Sequence, residues 1–337
     1  MSRVAVFVSH PQPMLDMYFG ARALGTLREI ADVHLNTAAH DLPTPQLVDA
    51  ARDCDVLIAY RQTPAPSALF EALPRLAAFL RCAMDIRTVD VDAANRAGVL
   101  VTRASAGFQA AVAEWIVAMA VNLGRGLVQQ AAAYHRGELP PPRMGRELRE
   151  ATVGIIGYGA IGQRFGELAL AFGARLLVHT PQPVVAHDRL AAVPLEALLA
   201  GSDFVVCLAP ATPETAGLMG ARAFATMKRG AFFINASRGE LVDEAALLAA
   251  LDAGHIGGCA LDVGTAPDQT PAPALARHPL VIATPHIGGL TPPAIEHQSL
   301  ETVAQLRSLL QGRMPEGAVN AAHATRWQGL SAAAPSR

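Results

Sequence analysis

A glycine-rich turn between a strand-like run and a helix-like run constrains the fold of this chain more than any other feature. Residues 157–162 read GYGAIG; they follow the apolar run VGII and open the segment AIGQRFGELALAFG. The spacing GxGxxG in this setting predicts a β-strand, a tight turn and a helix whose first N–H groups face an anion. Gly157 allows the turn, Gly159 lets the main chain approach a pyrophosphate, and Gly162 lets the helix pack closely on the strand. We therefore predict a dinucleotide-binding unit here.

Short apolar runs alternate with helix-like segments along the whole chain. VAVFV, DVLIAY, LAAFLR and GVLVT are strand-like, and a second series extends from ATVGIIGYG to PLVIATP. Strands that alternate with helices predict parallel sheets built from right-handed βαβ units. The long Ala-rich pattern Ala110–Tyr134 is helical, and so is the tail Pro293–Gln311, which we expect to return to the first domain. The predicted boundaries separate residues 1–101, 102–289 and 290–337.

Composition limits the classes of partner and of chemistry. Of the 337 residues, 51% are hydrophobic and the net charge is −2, so a large core is expected and nucleic acid is not an expected partner. The four cysteines are far apart, which predicts neither a disulfide framework nor a metal site. The N-terminal apolar run is too short for a signal peptide, and Ala111–Leu123 is too short to span a bilayer. We expect a soluble cytoplasmic protein without a membrane partner.

An arginine and a histidine follow two strands of the second series. Arg238 lies in NASRG after the run FFI, and His286 lies in HIGG after PLVIATP. The carboxyl ends of parallel strands are where α/β sheets bind ligands. A guanidinium suits a carboxylate, and an imidazole exchanges protons near neutral pH. The residues alone leave a surface ion pair for Arg238 and a structural role for His286 as alternatives.

Four segments in this order and spacing resemble the D-isomer-specific 2-hydroxyacid dehydrogenase family: GIIGYGAIGQRFGELALAFGARLLV, LAPATPETAGLMGARAFATMKRGAFFINASRGELVDEAALLAAL, ALDV and TPHIGG. The resemblance is dense from about Arg143 to Gly289 and weaker on both sides. It implies α/β architecture with two Rossmann-like domains: a flavodoxin-like substrate domain formed by both chain ends, and an inserted doubly wound nucleotide-binding domain. It also implies NAD(P)-dependent hydride transfer to or from a 2-keto or 2-hydroxy acid, and a homodimer.

The resemblance assigns roles to individual residues. Arg238 binds the substrate carboxylate and polarises the reacting carbonyl, while His286 is the general acid in reduction and the general base in oxidation. Asp262, at the end of GCALDV, holds the carboxamide of the nicotinamide. The positions expected to contact the cofactor are Gly157, Tyr158, Gly159, Ala160, Ile161, Gly162, His179, Thr180, Pro210, Ala236, Ser237, Arg238, Asp262, His286, Gly288 and Gly289.

The strand after the glycine turn lacks the acid that usually binds the adenosine ribose of NAD. Residues 178–182 read VHTPQ, without a carboxylate and without an adjacent arginine for a 2′-phosphate. Loss of the acid removes the main repulsion against NADP, but no residue clearly favours it. The predicted cofactor is therefore NAD or NADP.

The carboxylate expected to orient His286 is displaced. The family usually reads DVFxxEP, with glutamate five residues after the aspartate, and Pro267 stands there in this chain. Asp268, one residue later, is our predicted partner of His286. Gln269 is an alternative, because a neutral amide also orients an imidazole, as in the similar formate dehydrogenases. A solvated loop acid is the third interpretation of Asp268.

The substrate loop also departs from the family, which commonly reads GxGxDxID. The aligned residues 83–90 read AMDIRTVD, so that both glycines are lost and Asp85 and Arg87 are introduced. We predict substrate contacts at Arg61, Ala83, Met84, Asp85 and Arg87, and a substrate larger or differently charged than glyoxylate or pyruvate. Asp85 near an anionic substrate would be repulsive unless it is paired, and Arg87 is a candidate partner. In the alternative interpretation, Asp85 and Arg87 point away and only brace the loop.

Two other functions fit the same resemblance. A non-catalytic NAD(H)-sensing protein is one, because the C-terminal-binding-protein corepressors share this architecture. A dehydrogenase of the formate or phosphite type is the other, and Gln269 beside His286 would favour it.

Overall fold

The computed structural model describes residues 3–332, apart from the side chains of Asp268 and Ala332. The chain divides into two compact units: Met1–Phe108 with Pro292–Arg337 forms the first unit, and Gln109–Thr291 forms the second unit. These boundaries lie a few residues after those predicted at 101 and 289.

The N-terminal part of the first unit alternates strands with helices. Its strands are β1 Ala5–Val8, β2 Asp32–Leu35, β3 Val56–Ala59, β4 Ala78–Arg81 and β5 Leu100–Arg103. Its helices are α1 Gln12–Tyr18, α2 Ala21–Ile30, α3 Thr44–Ala51, α4 Ser67–Ala72 and α5 Val91–Ala97. The strands are all parallel in the order β2-β1-β3-β4-β5. This is the flavodoxin-like order, and it confirms that prediction.

The second unit contains seven parallel strands. They are β6 Thr152–Ile156, β7 Arg175–His179, β8 Leu190–Ala192, β9 Phe204–Cys207, β10 Phe232–Asn235, β11 Gly258–Leu261 and β12 Val281–Ala283. Its helices are α6 Gln109–Arg125, α7 Leu127–His135, α8 Ala160–Ala171, α9 Leu195–Gly201, α10 Ala221–Thr226, α11 Glu244–Asp252 and α12 Pro273–Ala276. The order β12-β11-β10-β9-β6-β7-β8 reverses between β6 and β9, as in a doubly wound nucleotide-binding domain. The predicted α/β class is confirmed.

Two further helices, α13 Pro292–Leu310 and α14 Gln328–Ala332, follow the second unit in the sequence. Val303, Leu306 and Leu309 of α13 are buried in the same core as Val6 and Leu27. The tail is therefore helical, as the spacing of its apolar residues predicts, and its buried face packs in the core of the first unit.

The Ala-rich pattern before the glycine turn is two helices rather than one. Gly126, with φ of 64°, separates α6 from α7, and the helices are bent by 71° at this break. Within residues 3–332 no single helix has the length and apolar composition to cross a membrane, whereas α6 and α7 taken together pass that test.

A buried arginine joins two loops of the first unit. Arg81 ends β4 and has no exposed surface. Its guanidinium donates to the main-chain oxygen of Tyr60, to that of Thr63 at 2.8 Å and to the hydroxyl of Thr88 at 2.9 Å. Burial lowers the pKa of Arg81 to about 10, so the group stays protonated at neutral pH. Arg81 thus ties the loop after β3 to the loop after β4, which the sequence did not predict.

A buried histidine lies at the end of β1. His10 packs between the rings of Phe19 and Tyr60, with centroid distances of 5.2 and 5.1 Å. Burial lowers the pKa of His10 to about 3, and the main chain of Tyr18 offsets that effect only in part. The imidazole is therefore neutral in the folded protein throughout the ordinary pH range.

We predict that His10 makes folding stability fall as the solution becomes acidic. Below the ordinary value of 6.5 the unfolded chain protonates His10, while the folded chain does not until the pH nears 3. The free energy of unfolding should decline by about 1.4 kcal/mol per pH unit on this account, and His10→Leu should remove that slope. Urea unfolding between about pH 4.5 and 7 measures it. His135→Leu, at an exposed histidine of α7, is the control; an equal slope in wild type and His10→Leu would contradict the prediction.

Candidate active site

The glycine turn has the geometry that dinucleotide binding requires. Gly157 has φ of 91°, and a Cβ there would lie 2.5 Å from the main-chain nitrogen of Ala209. A Cβ on Gly162 would lie 2.5 Å from the oxygen of Gly157, so α8 packs directly on the turn. A Cβ on Gly159 would meet no atom within 4 Å. Each glycine therefore has the structural role that its position in GxGxxG predicts.

The start of α8 faces open space and offers uncompensated donors. Gly159 precedes the helix without a side-chain cap, and no acidic residue lies in the first turn. Tyr158, Ala160 and Ile161 belong to this turn and helix start. Because the first N–H groups of a helix have no partner within it, they fit an anion such as a pyrophosphate.

The end of β7 lies next to the glycine turn. The N–H of Gly157 donates to the oxygen of His179 at 2.9 Å. Nδ1 of His179 lies 3.2 Å from the oxygen of Val193, and Oγ1 of Thr180 accepts from the N–H of Gln182 at 3.2 Å. This strand end is therefore polar and carries no carboxylate.

The loop after β10 positions Arg238 by hydrogen bonds of Asn235. Nδ2 of Asn235 donates to the oxygen of Arg238 at 3.0 Å, and its Oδ1 accepts from the N–H of Ser237 at 3.1 Å. The Ser237 hydroxyl donates to the oxygen of Ala209, next to Pro210. The half-buried Arg238 side chain donates to the oxygen of Ser237 at 2.7 Å. Asn235 is a positioning residue that sequence reasoning missed, although an amide directly after a buried run was the available signal.

The Asp262 carboxylate is the centre of the loop that carries the histidine. It is 4% exposed. Oδ1 accepts from the hydroxyl of Thr284 at 2.6 Å and from the N–H of Ile287 at 2.8 Å, and Oδ2 accepts from the N–H of Gly288 at 2.7 Å. A Cβ on Gly288 would lie 2.8 Å from Oδ2, so only glycine fits against the carboxylate. Asp262 thus binds the Thr284 side chain before His286 and the main chain directly after it.

His286 adopts an unusual backbone conformation for a residue with a side chain. Its φ is 56°, in the left-handed region, and its N–H donates to the oxygen of Thr284 at 2.9 Å. Such a conformation costs free energy and persists only where surrounding contacts impose it. Trp115 packs against Gly288, 3.7 Å from where a Cβ would stand. The buried indole N–H of Trp115 has no hydrogen-bond partner among the described residues.

The displaced acid lies in a short 3-10 turn. Residues Pro267–Gln269 form this turn, and Gln269 has φ of 59°. The oxygen of Gln269 accepts from the N–H of Gly264 at 2.9 Å. The side chain of Asp268 lies outside the described part of the chain, so its pairing with His286 stays a prediction.

The predicted substrate residues of the first unit follow β3 and β4. The Arg61 guanidinium lies over the ring of Tyr18, 5.5 Å from its centroid. Arg87 and Asp85 form an ion pair at 2.9 Å, so the candidate pairing is present, and contact of this loop with substrate stays a prediction. Ala83 is buried and Met84 is exposed.

No three His, Cys, Asp or Glu side chains come together as a metal site would require in the part of the chain that the structure describes.

We predict that Asp262→Asn loosens the loop around His286. An amide offers its NH₂ group to donors where the carboxylate accepts, and each hydrogen bond to a charged acceptor contributes about 1.5–3 kcal/mol. Hydrogen exchange of the Ile287 and Gly288 amides should therefore accelerate at least about tenfold. Asp243→Asn is the control, because Asp243 accepts from the N–H of Ala246 at the start of α11. Equal protection of both loop amides in wild type and Asp262→Asn would show that the carboxylate does not fix the loop.

Known proteins resemble this chain over most of its length. Residues 117–288 match the family described as D-isomer specific 2-hydroxyacid dehydrogenase, NAD binding domain. The D-3-phosphoglycerate dehydrogenase of Rattus norvegicus is 33% identical over 306 residues, which cover 87% of this chain and 57% of that protein. The chain thus spans little more than half the length of the curated relatives that it matches.

Solved structures share the fold. The TT0316 protein from Thermus thermophilus is 30% identical with a TM-score of 0.84, covering 94% of this chain and all of that one. A D-lactate dehydrogenase from Aquifex aeolicus, solved with NAD and lactic acid, is 26% identical with a TM-score of 0.74, covering 91% of this chain and 96% of that one. The chain belongs to the D-isomer specific 2-hydroxyacid dehydrogenase family and contains its NAD-binding domain.

Proposed function

We propose that the chain is an oxidoreductase that transfers a hydride between a nicotinamide cofactor and a 2-hydroxy or 2-keto acid. One observation carries the proposal: Asp262 connects the loop of His286 to the strand that precedes Arg238. Its carboxylate accepts from the N–H groups of Ile287 and Gly288. Its main-chain N–H donates to the oxygen of Asn235 in the neighbouring strand. Arg238 and His286 therefore lie on either side of the end of β11, at the ligand-binding edge of one sheet.

The residues of the second unit fit a dinucleotide. Gly159 faces open space beside the start of α8, where a pyrophosphate would lie, and we assign the carboxylate of Asp262 as the acceptor for a nicotinamide carboxamide. The bound nicotinamide supplies or accepts the hydride.

Arg238 and His286 then divide the remaining chemistry. The planar guanidinium of Arg238 binds the substrate carboxylate and polarises the adjacent carbonyl. In reduction, protonated His286 donates its proton to the carbonyl oxygen as the hydride reaches the carbon, and in oxidation it takes the hydroxyl proton. A carboxylate at Asp268 favours the protonated imidazole and orients it; the amide of Gln269 is the alternative orienting group.

We predict keto-acid reduction that depends on His286. Steady-state rates with NADH and NADPH should be measured against glyoxylate, hydroxypyruvate, pyruvate, phenylpyruvate and oxaloacetate. His286→Ala should lower kcat at least about 100-fold, which is the size of a general acid's contribution. Asp268→Asn should lower kcat steeply if Asp268 orients His286, whereas Gln269→Ala should then change it little.

Three results would contradict parts of this proposal. A rate that is indifferent to Asp268→Asn but falls in Gln269→Ala would assign the orienting role to Gln269. Tight nucleotide binding without turnover of any keto acid would favour a nucleotide-sensing protein. Oxidation of formate or phosphite in place of keto-acid turnover would favour the third function considered above.

We further propose that the substrate carries a second anionic group, which Arg61 binds. Arg61 is half-buried and makes no ion pair within residues 3–332; its guanidinium contacts the ring of Tyr18. Asp85, in the loop after β4, forms its ion pair with Arg87. The 3-phosphoglycerate for which the rat relative is named contains such a second anion.

Arg61→Met should raise KM for dianionic keto acids and spare monoanionic ones. A hydrogen-bonded charge contact contributes about 1.5–3 kcal/mol, so KM for oxaloacetate or phosphohydroxypyruvate should rise about tenfold or more. KM for pyruvate should change less than about threefold. Arg28→Met is the matched control, because it removes an exposed arginine from the last turn of α2 and leaves Arg61 in place. An equal rise for both substrate classes would assign Arg61 a general role instead.

A homodimer is the assembly that we propose. Large apolar side chains are exposed along α7 and the following loop, as expected for a surface that a second copy of the chain covers. They are Leu127, Val128, Tyr134, Leu139 and Met144. All four cysteines are free and buried, which suits the proposed cytoplasmic location.

A further inference from the structure

We propose that Glu244 is a positioning residue for the reaction, because its carboxylate anchors the loop that presents the orienting group of His286. This loop, residues 264–271, is called the acid loop below and contains both candidate partners of the imidazole, Asp268 and Gln269. The inference rests on the proposed function, since it concerns the same reaction. Glu244 is the first residue of α11, and the resemblance assigns it no role.

Main-chain hydrogen bonds close the acid loop on itself. The N–H of Gly264 donates to the oxygen of Gln269 at 2.9 Å, and the N–H of Ala266 donates to the oxygen of Thr270 at 3.1 Å. The Thr270 hydroxyl donates to the oxygen of Pro267 at 2.9 Å. Because the loop is bonded internally, a contact at its beginning also determines where its later residues lie.

Glu244 supplies that contact from the neighbouring helix. Oε1 of the half-buried Glu244 side chain accepts from the N–H of Thr265 at 3.1 Å. A hydrogen bond to a charged acceptor is stronger than one between neutral groups. The cap of α11 is supplied by a different carboxylate, that of Asp243, which accepts from the N–H of Ala246. The Glu244 carboxylate therefore serves the loop rather than the end of its own helix.

The acid loop comes this close to Glu244 because residue 264 is glycine. The family pattern DVFxxEP has phenylalanine at this position. A Cβ on Gly264 would lie 2.5 Å from Cα of Pro271 and 2.6 Å from the oxygen of Thr270. It would also lie 3.0 Å from Oε1 of Glu244. A phenylalanine side chain does not fit this arrangement, so the glycine, the displaced acid and the contact with Glu244 form one local rearrangement.

The acid loop also contacts the segment that follows Arg238. A Cβ on Gly239 would overlap the main chain of Gly264, so these two glycines pack main chain against main chain. The 3-10 turn Gly239–Leu241 leads from there to the start of α11. The Arg238 segment and the acid loop are thus joined twice, by the glycine contact and by Glu244.

Steady-state kinetics of keto-acid reduction test the inference. Glu244→Ala removes the acceptor, and kcat should fall about tenfold with KM within about twofold, since a misplaced orienting group costs rate rather than substrate binding. Glu244→Gln keeps an acceptor oxygen at the same distance from the main chain. It should therefore retain kcat within about threefold of wild type.

A second glutamate provides the matched control. Glu196 lies in the first turn of α9, is exposed, and pairs with Arg222 at 3.1 Å. Glu196→Ala removes the same charge from the start of a helix, but no loop contact. Its kcat should equal that of wild type, whereas an equal loss in both variants would reduce the effect of Glu244 to helix stability.

Coupling to the orienting group separates positioning from a general structural effect. Glu244→Ala is also made in a variant that already carries Asp268→Asn and Gln269→Ala. Without either orienting group, loss of the anchor should lower kcat less than about twofold. The same factor in both backgrounds would show that Glu244 does not act through these groups and would overturn the inference.

Hydrogen exchange gives a readout that does not depend on turnover. Exchange of the Thr265 amide should accelerate about tenfold in Glu244→Ala and stay unchanged in Glu196→Ala. Unchanged exchange in Glu244→Ala, or a wild-type kcat in that variant, would overturn the inference and leave the proposed function intact. Wild-type protein that reduces no keto acid would contradict the proposed function and the inference together.

Discussion

The buried carboxylate of Asp262 is the interaction on which the rest of the candidate site depends. A carboxylate with almost no access to water is stable only when hydrogen bonds replace its hydration. Three donors from the loop after β12 do so, and they are the groups that surround His286. The main-chain N–H of Asp262 donates to the oxygen of Asn235 in β10. The Asn235 side chain in turn donates to the main-chain oxygen of Arg238. One desolvated charge thereby couples the ends of three neighbouring strands.

The first unit uses a charge of opposite sign in a similar way. Arg81 ends β4 in full burial, and loop oxygens of Tyr60, Thr63 and Thr88 accept from its guanidinium. Both anchors stand at or just beyond a strand end, where a side chain reaches the loops that bind ligands in α/β folds. Removing either anchor would leave buried groups of the loops unsatisfied, at a cost of about 1–3 kcal/mol each. These loops are therefore fixed by the strands rather than by their own sequences.

Sequence patterns predicted the elements but not these anchors. The alternation of apolar runs predicted both parallel sheets, and GxGxxG predicted the turn, because each signal is local. The hydrogen bond from the Gly288 N–H to the Asp262 carboxylate depends on the register of neighbouring strands. A local sequence pattern does not predict that register. Arg81 lies inside an apolar run. The sequence pattern there does not show whether its guanidinium is buried or exposed where the strand ends. Gly126 interrupts the helical pattern at a cost of only about 1 kcal/mol, too little to predict a break.

The hydrogen bonds of Asp262 also limit what the predicted cofactor contact can be. A carboxylate has about four lone-pair sites, and the loop uses three of them. A single acceptor position is left for the carboxamide of a nicotinamide, so that contact and the loop contacts do not compete. The ligand would then meet a loop that is already in place, and binding would not have to supply the free energy that holds His286 at φ of 56°. The cost of that conformation is offset during folding, by the same carboxylate that is expected to bind the cofactor.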